Sequence, residues 1–182
     1  MNAYVTDLIL KNSENTVDPE LKRFRDDYRE RGVPTLLTES LNVLIQMATL
    51  RKPLKILEFG TSVGCSGIAL LKASENATLY TIERYEKSYF EAQENFKRFG
   101  LSDRVNQFMG DALDVVDEVG DGFDFVFLDC NKSKYKDLYP KIKKLLATPW
   151  RGARRTELGE GLPSAGWVVV GLHLPEFSSG RS

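Results

Sequence analysis

Cysteine and histidine are nearly missing from this chain. Its 182 residues include 2 cysteines and 1 histidine, and Cys65 and Cys130 lack any zinc-motif spacing. Neither a disulfide framework nor a Cys/His metal cage is indicated, and a reducing compartment is expected. No apolar run approaches the roughly 20 residues that cross a bilayer, and no basic stretch with an apolar centre opens the chain, so a cytoplasmic protein without membrane contact is expected. Charge of one sign is also lacking: 25 basic residues against 26 acidic ones leave a net charge of -1, which gives no global field for holding a nucleic acid. The dinucleotide fingerprint G-x-G-x-x-G does not occur, which disfavours a nicotinamide-dependent oxidoreductase. The length suits a single core.

What the chain does have is an apolar run, Lys55-Ile56-Leu57-Glu58-Phe59, opening into Gly60-Thr61-Ser62-Val63-Gly64-Cys65-Ser66. A near-continuous apolar run reads as a buried parallel strand, and ligands of such sheets sit beyond the carboxyl ends of the strands. Gly60 and Gly64 allow close backbone approach, and the hydroxyls of Thr61, Ser62 and Ser66 lie in or beside the same turn. A carboxylate at Glu58 would repel a pyrophosphate but pair with an ammonium, such as the amino-acid end of S-adenosylmethionine. A second run, residues 78–82, ends in Glu83, placed to accept hydrogen bonds from two ribose hydroxyls. A third, residues 104–109, leads through Gly110 to Asp111 and Ala112, within reach of an adenine amino group. Acids after apolar runs also cap helices; three in register favour one adenosyl ligand.

The periodicity predicts helices over residues 4–10, 19–31, 38–50 (with Thr38 as N-cap), 66–73, 87–99 (closed by Gly100), 113–119 and 134–146. Alternating with the runs above and with residues 123–128, they predict an α/β fold: a Rossmann-like, doubly wound, mostly parallel sheet preceded by N-terminal helices. Tyr80, Tyr85, Tyr89 and Phe90 follow the strand and helix periods and read as packing.

Residues 55–146 resemble the class I S-adenosylmethionine-dependent O-methyltransferases of the caffeoyl-CoA and catechol type, which include bacterial enzymes acting on 5-hydroxyuridine in tRNA. The segment Arg31-Gly32-Val33-Pro34-Thr35-Leu36-Leu37-Thr38-Glu39 is similar to the family's passage between N-terminal helices, and Phe123-Asp124-Phe125-Val126-Phe127-Leu128-Asp129-Cys130-Asn131-Lys132-Ser133-Lys134-Tyr135 to its fourth strand and active-site turn. The resemblance implies that Asp129 contacts the cofactor and ligates a divalent cation such as Mg2+, and that Lys132 is the general base. It also implies a hydroxylated small molecule or tRNA base as acceptor, and a homodimer. Such a cation would lower the acceptor's hydroxyl pKa, and Lys132 would take the proton. A lysine run continuing through Lys134, Lys136 and Lys141 is equally the solvated face of a helix.

After Leu146 the chain departs from the family. The Pro-Gly-Gly turn and the Asp-Asn pair that completes the metal site are absent; residues 147–165 are rich in Gly and Arg without apolar periodicity. Residues 167–172 read as one strand, with Gly171 and Leu172 in the Asp-Asn positions. The expected organisation is a methyltransferase-like domain over residues 1–146 (helices 1–50, cofactor-binding core 51–146) and a divergent tail over 147–182, with the C-terminal strands incomplete. A shifted reading frame or splice end, a divergence that lost metal chemistry, and an interaction tail each account for it; the break in charge pattern favours the first. The activity is correspondingly impaired, or the chain is an inactive cofactor-binding module or dimer partner. His173, in the tail, reads as a surface residue.

Overall fold

The computed structural model describes residues 17–146 and the backbone of residues 168–171. In chain order the elements are α1 (Pro19–Glu30), α2 (Thr38–Arg51), β1 (Lys55–Phe59), α3 (Cys65–Ala73), β2 (Thr78–Glu83), α4 (Glu86–Arg98), β3 (Val105–Met109), α5 (Ala112–Val115), β4 (Phe125–Leu128), α6 (Tyr135–Leu145) and β5 (Val168–Gly171). The strands form a five-stranded sheet of order β3-β2-β1-β4-β5, with every pairing parallel. This is the doubly wound α/β architecture expected from the alternation of runs and helices.

Side chains alternate across the sheet because successive residues of a strand point to opposite faces. Ile56, Leu79, Phe125 and Phe127 pack with α1 to α4 in one core. Leu57, Phe59, Ile82, Val126 and Leu128 pack with α5 and α6 in the other. Each fully buried large apolar side chain contributes about 1.5 to 3 kcal/mol, so the two layers hold the strand ends in place.

Helix ends follow local chemistry. Asp18 caps α1, its Oδ1 accepting from the Glu20 and Leu21 amides at 3.0 Å each, worth about 1 kcal/mol. After α4, the Gly100 amide donates to Lys97 at 3.0 Å and the Leu101 amide to Phe96 at 2.9 Å, the paired closure that a left-handed glycine permits. Thr38 is not a cap: it is the first residue of α2, behind an extended Leu37 that offers no side-chain acceptor. The third strand begins at Val105 rather than Arg104, because residues 102–104 form a 3-10 turn. The helix after Asp111 gives way to a second 3-10 turn at Val116. Phe90 is 51% exposed, so it does not serve as packing surface as its spacing suggested.

The strand expected at residues 167–172 is present over Val168–Gly171, in register with Phe125–Leu128 of β4. The helix expected at 4–10, the loop at 147–165, and Trp167, Leu172 and His173 lie outside the described residues.

Candidate active site

Three strand exits, those of β2, β3 and β4, and the turn after β1 surround a cavity of about 350 Å³. Its lining brings together Gly60, Ser62, Glu83, Asp111, Ala112 and Asp129 from the expected set. The turn after β1 is shaped by contact with β4: Gly60 has φ +98°, and a Cβ there would lie 2.7 Å from the Asp129 carbonyl oxygen. Only glycine fits that backbone and that gap. The Asp129 amide donates to Phe59 at 2.9 Å, and the Gly60 amide to Ile82 at 3.0 Å, so the exits of β1, β2 and β4 are tied through their backbones.

Glu83 sits at the centre. Its Oε2 accepts from the Ser62 amide at 2.8 Å and its Oε1 from the Tyr85 amide at 2.9 Å. Each carboxylate oxygen keeps a lone pair for a further donor, which is the geometry needed to accept from a vicinal diol. Asp111 caps α5 through the Leu113 amide at 3.0 Å and forms an ion pair with Lys134. The Lys134 ammonium holds its carboxyl below the ordinary range. Burial pushes Asp129 up to about 6 and the Cys130 thiol up to about 11; the buried Cys65 rises to about 12. Both thiols are therefore protonated at neutral pH and unsuited to nucleophilic work.

Four expected cofactor contacts do not border the cavity. Glu58 and Thr61 are buried at 0% and 1% exposure, and both oxygens of Glu58 accept from protein hydroxyls: Ser66 at 2.5 Å and Thr81 at 2.7 Å. Glu58, expected to pair with a ligand ammonium, lies under α3, because even-numbered positions of β1 face that helix. Ser66 is spent on Glu58, and Gly64 packs over the Phe96 ring, 3.2 Å from where a Cβ would sit.

The expected general base lies outside the cavity lining. Lys132 is exposed and does not line the cavity, whereas Lys134 does. The cause is a 3-10 turn over Lys132–Lys134, capped by Asn131, whose Oδ1 accepts from the Ser133 amide at 3.0 Å. The Tyr135 hydroxyl then donates to Leu128 at 2.7 Å, drawing the start of α6 against the strand. Arg84, Tyr85, Ser88, Cys130, Asn131 and residues 33–35 also line the cavity. The sequence signal for these was adjacency to Glu83 and Asp129, and, for residues 33–35, the family-like segment itself.

No group of three or more His, Cys, Asp or Glu able to hold a metal ion occurs among the described residues. A hard cation such as Mg2+ wants several oxygen ligands. Of the nearby carboxylates, Asp111 is committed to an ammonium and Glu83 to two amides, which leaves Asp129. In register beside it, Gly171 pairs with Leu128 and carries no ligand. The described residues do not fit the divalent cation that the resemblance implies.

A parallel α/β sheet with a cavity across the carboxyl ends of its strands, edged by Glu83, Asp111 and Asp129, defines a Rossmann-like fold with a nucleotide-type cleft. A sequence profile of the O-methyltransferase family matches residues 20–150, and the chain belongs to that family. It is 30% identical over 143 residues to a catechol O-methyltransferase of Niastella koreensis, covering 75% of this chain and 62% of that protein. The chain thus spans less than two thirds of the length of this relative. Among solved structures it is similar to the O-methyltransferase TomG from Streptomyces achromogenes in complex with SAM, with a TM-score of 0.64 and 29% identity, covering 71% of this chain and 61% of that one. It is also similar to the SAH-bound methyltransferase PaMTH1 of Podospora anserina, with a TM-score of 0.70 and 26% identity, covering 80% and 65%.

Proposed function

We propose that the cavity binds S-adenosylmethionine and that the protein transfers its methyl group to a hydroxyl of a small catechol-like molecule. The carrying observation is Glu83, which lines the cavity and is held by the Ser62 and Tyr85 amides with one acceptor site left on each oxygen, as a ribose diol requires. Asp111 and Ala112 then take the adenine end, and Asp129 faces the sulfonium side. SAM-bound and SAH-bound relatives of the same fold support this reading.

Transfer is an in-line displacement: the acceptor oxygen forms a bond to the methyl carbon, the carbon–sulfur bond breaks, and the sulfur leaves as a neutral thioether. The acceptor's proton passes to Asp129 or to water. Positioning the oxygen against the methyl carbon is the larger task, since it replaces a bimolecular encounter with a prearranged one. The divalent cation forms no part of this scheme, because the described residues do not fit one. A cofactor-binding but inactive module is the second reading, favoured by Gly171 beside Leu128. A hydroxylated tRNA base as acceptor, and a cytoplasmic homodimer, belong to the same proposal.

Titration with S-adenosylhomocysteine, against NADH as a control, tests the cofactor. Binding of NADH alone would overturn the reading. Methyl transfer to catechol or to hydroxyuridine-containing tRNA, with and without Mg2+, tests the chemistry: turnover without Mg2+ stimulation is expected, absence of any turnover favours the inactive module, and strong stimulation would mean that groups outside the described residues ligate the ion.

A further inference from the structure

We propose that Glu58 is a positioning residue: it ends a directed chain of hydroxyls, Thr61 to Thr81 to Glu58, that holds the turn over residues 60–62 in the shape that reads the adenosyl half of the ligand. This rests on the cofactor proposed above, and it assigns Glu58 no contact with that cofactor.

The direction of the chain follows from counting protons. The Thr81 hydroxyl has one proton, and it lies 2.7 Å from Glu58 Oε2. In its ionised form, which prevails above about 7, the Glu58 carboxylate only accepts, so there that proton points at Glu58. The Thr61 and Thr81 hydroxyl oxygens are 2.6 Å apart; with the Thr81 proton already used, Thr61 must donate. Ser66 fills the other carboxylate oxygen at 2.5 Å. Every hydroxyl in the cluster therefore points toward Glu58, and Thr61 is held by its side chain as well as by its amide to Ile82 at 3.3 Å.

The surroundings are built for a buried carboxylate. Glu58 and Thr81 are register partners across β1 and β2, which puts their side chains on one face. Above them, α3 offers Gly67, where an added Cβ would lie 3.2 Å from Glu58 Oε2; any side chain would crowd the acid. The amino end of α3 favours negative charge there. Burial raises Glu58 to about 7, opposed by Ser66 and Thr81 and reinforced by Asp129 and Glu83.

The consequence reaches the cavity through Ser62. It follows Thr61 directly and is held at φ +48°, a conformation that costs an ordinary residue strain. In that conformation its amide points at Glu83 Oε2 at 2.8 Å. Glu83 is two residues beyond Thr81, on the same face of β2. Fixing Thr61 against Thr81 thus fixes Ser62 against Glu83, and through it the presentation of the carboxylate to a ribose.

Two ligands separate this role from ammonium pairing. S-adenosylhomocysteine carries the amino-acid end; 5′-methylthioadenosine lacks it and keeps the adenosyl half. Both are titrated into the parent, Glu58→Gln, Thr81→Val and Thr81→Ser, each checked by thermal melt. Glu58→Gln and Thr81→Val are expected to weaken both ligands by a similar factor, on the order of 10-fold, as for a lost charge-assisted hydrogen bond, and Thr81→Ser to restore both. If Glu58→Gln weakens S-adenosylhomocysteine while methylthioadenosine binds as in the parent, Glu58 pairs with the ammonium and the inference fails. Should Glu58→Gln not fold, Thr81→Val decides: a folded variant with parental affinity for both ligands overturns the inference, since a merely structural role lowers the melting temperature without touching affinity. A parent that binds neither ligand overturns the cofactor reading itself.

Discussion

The two halves of the cavity are built on different terms. On the β1–β2 side, Glu58, Thr61, Ser66 and Thr81 are buried and linked by hydrogen bonds, and the turn they hold presents the Ser62 amide to Glu83. On the β3–β4 side, Asp111 and Lys134 form a pair whose side chains are 31% and 20% exposed, and Asp129 lines the cavity. The first half is set before any ligand arrives. The second depends on a solvent-touched ion pair, which is worth little by itself and is screened by salt. The cavity thus joins a wall fixed by buried hydrogen bonds to a wall whose ion pair solvent can reach.

The largest effect that would break this contrast is expected at Gly60→Ala, where the added Cβ meets the Asp129 carbonyl at 2.7 Å on a backbone of φ +98°. Steric overlap and strain together should cost about 3 kcal/mol of stability, read from denaturant melts. A loss below about 1 kcal/mol would show that the junction yields, and that the rigid half is not rigid. Next comes Glu83→Ala, expected to weaken S-adenosylhomocysteine by about 1 to 3 kcal/mol in calorimetry; unchanged affinity removes Glu83 from the site.

A pH series sharpens the contrast further. Glu58 at about 7 and Asp129 at about 6 both lie above their ordinary values of 4.5 and 3.8, so the folded protein holds these protons more tightly than the unfolded chain. Their contribution is complete below those ordinary values and is lost as pH rises through about 6 to 7. Asp111, lowered by Lys134, behaves oppositely: its contribution is present above its ordinary value and lost as pH falls through its lowered one. Melting temperature should therefore decline across the rise, and less steeply in Glu58→Gln. An identical slope in parent and variant would place the titration elsewhere.

The smallest effect is expected from the lysines. Lys134→Met should shift ligand affinity by about 0 to 1 kcal/mol, in line with part-exposed ion pairs, with Lys132→Met shifting it less. A larger loss at Lys132, measured in the same titration, would restore it as the site's lysine.

β1, β2 and β4 were legible because their runs are largely apolar, while β3, with Asn106 and Gln107 inside it, was legible from its place in the alternation with helices; Glu83, Asp111 and Asp129 stood out by lying at or just beyond strand ends. What the pattern concealed was depth. Glu58 follows three residues of β1 as Glu83 follows five of β2, yet Glu58 falls one residue short of the exit and points under α3, whereas Glu83 ends its strand. Both acids lie on the same face of the sheet, since Glu58 is in register with Thr81, and they differ in depth along their strands. The exchange of Lys132 for Lys134 had a different cause: the turn is 3-10 rather than α-helical, so the side-chain directions around Asn131 do not follow the 3.6-residue period used to read them. Thr38 looked like a cap by residue type, but the preceding Leu37 holds that position. Gly67 gave no signal in sequence, since its reason is tertiary: an added Cβ would lie 2.7 Å from Leu79, 3.1 Å from Phe96 and 3.2 Å from Glu58.

The close approach of Gly60 to Asp129 acts as a ruler. Neighbouring strands lie about 4.8 Å apart, and at this junction nothing but backbone separates the turn after β1 from Asp129. The spacing between these two walls of the cavity is then inherited from the pitch of the sheet. Exchanging side chains around the cavity can change what it admits, while the gap between those two walls stays the same.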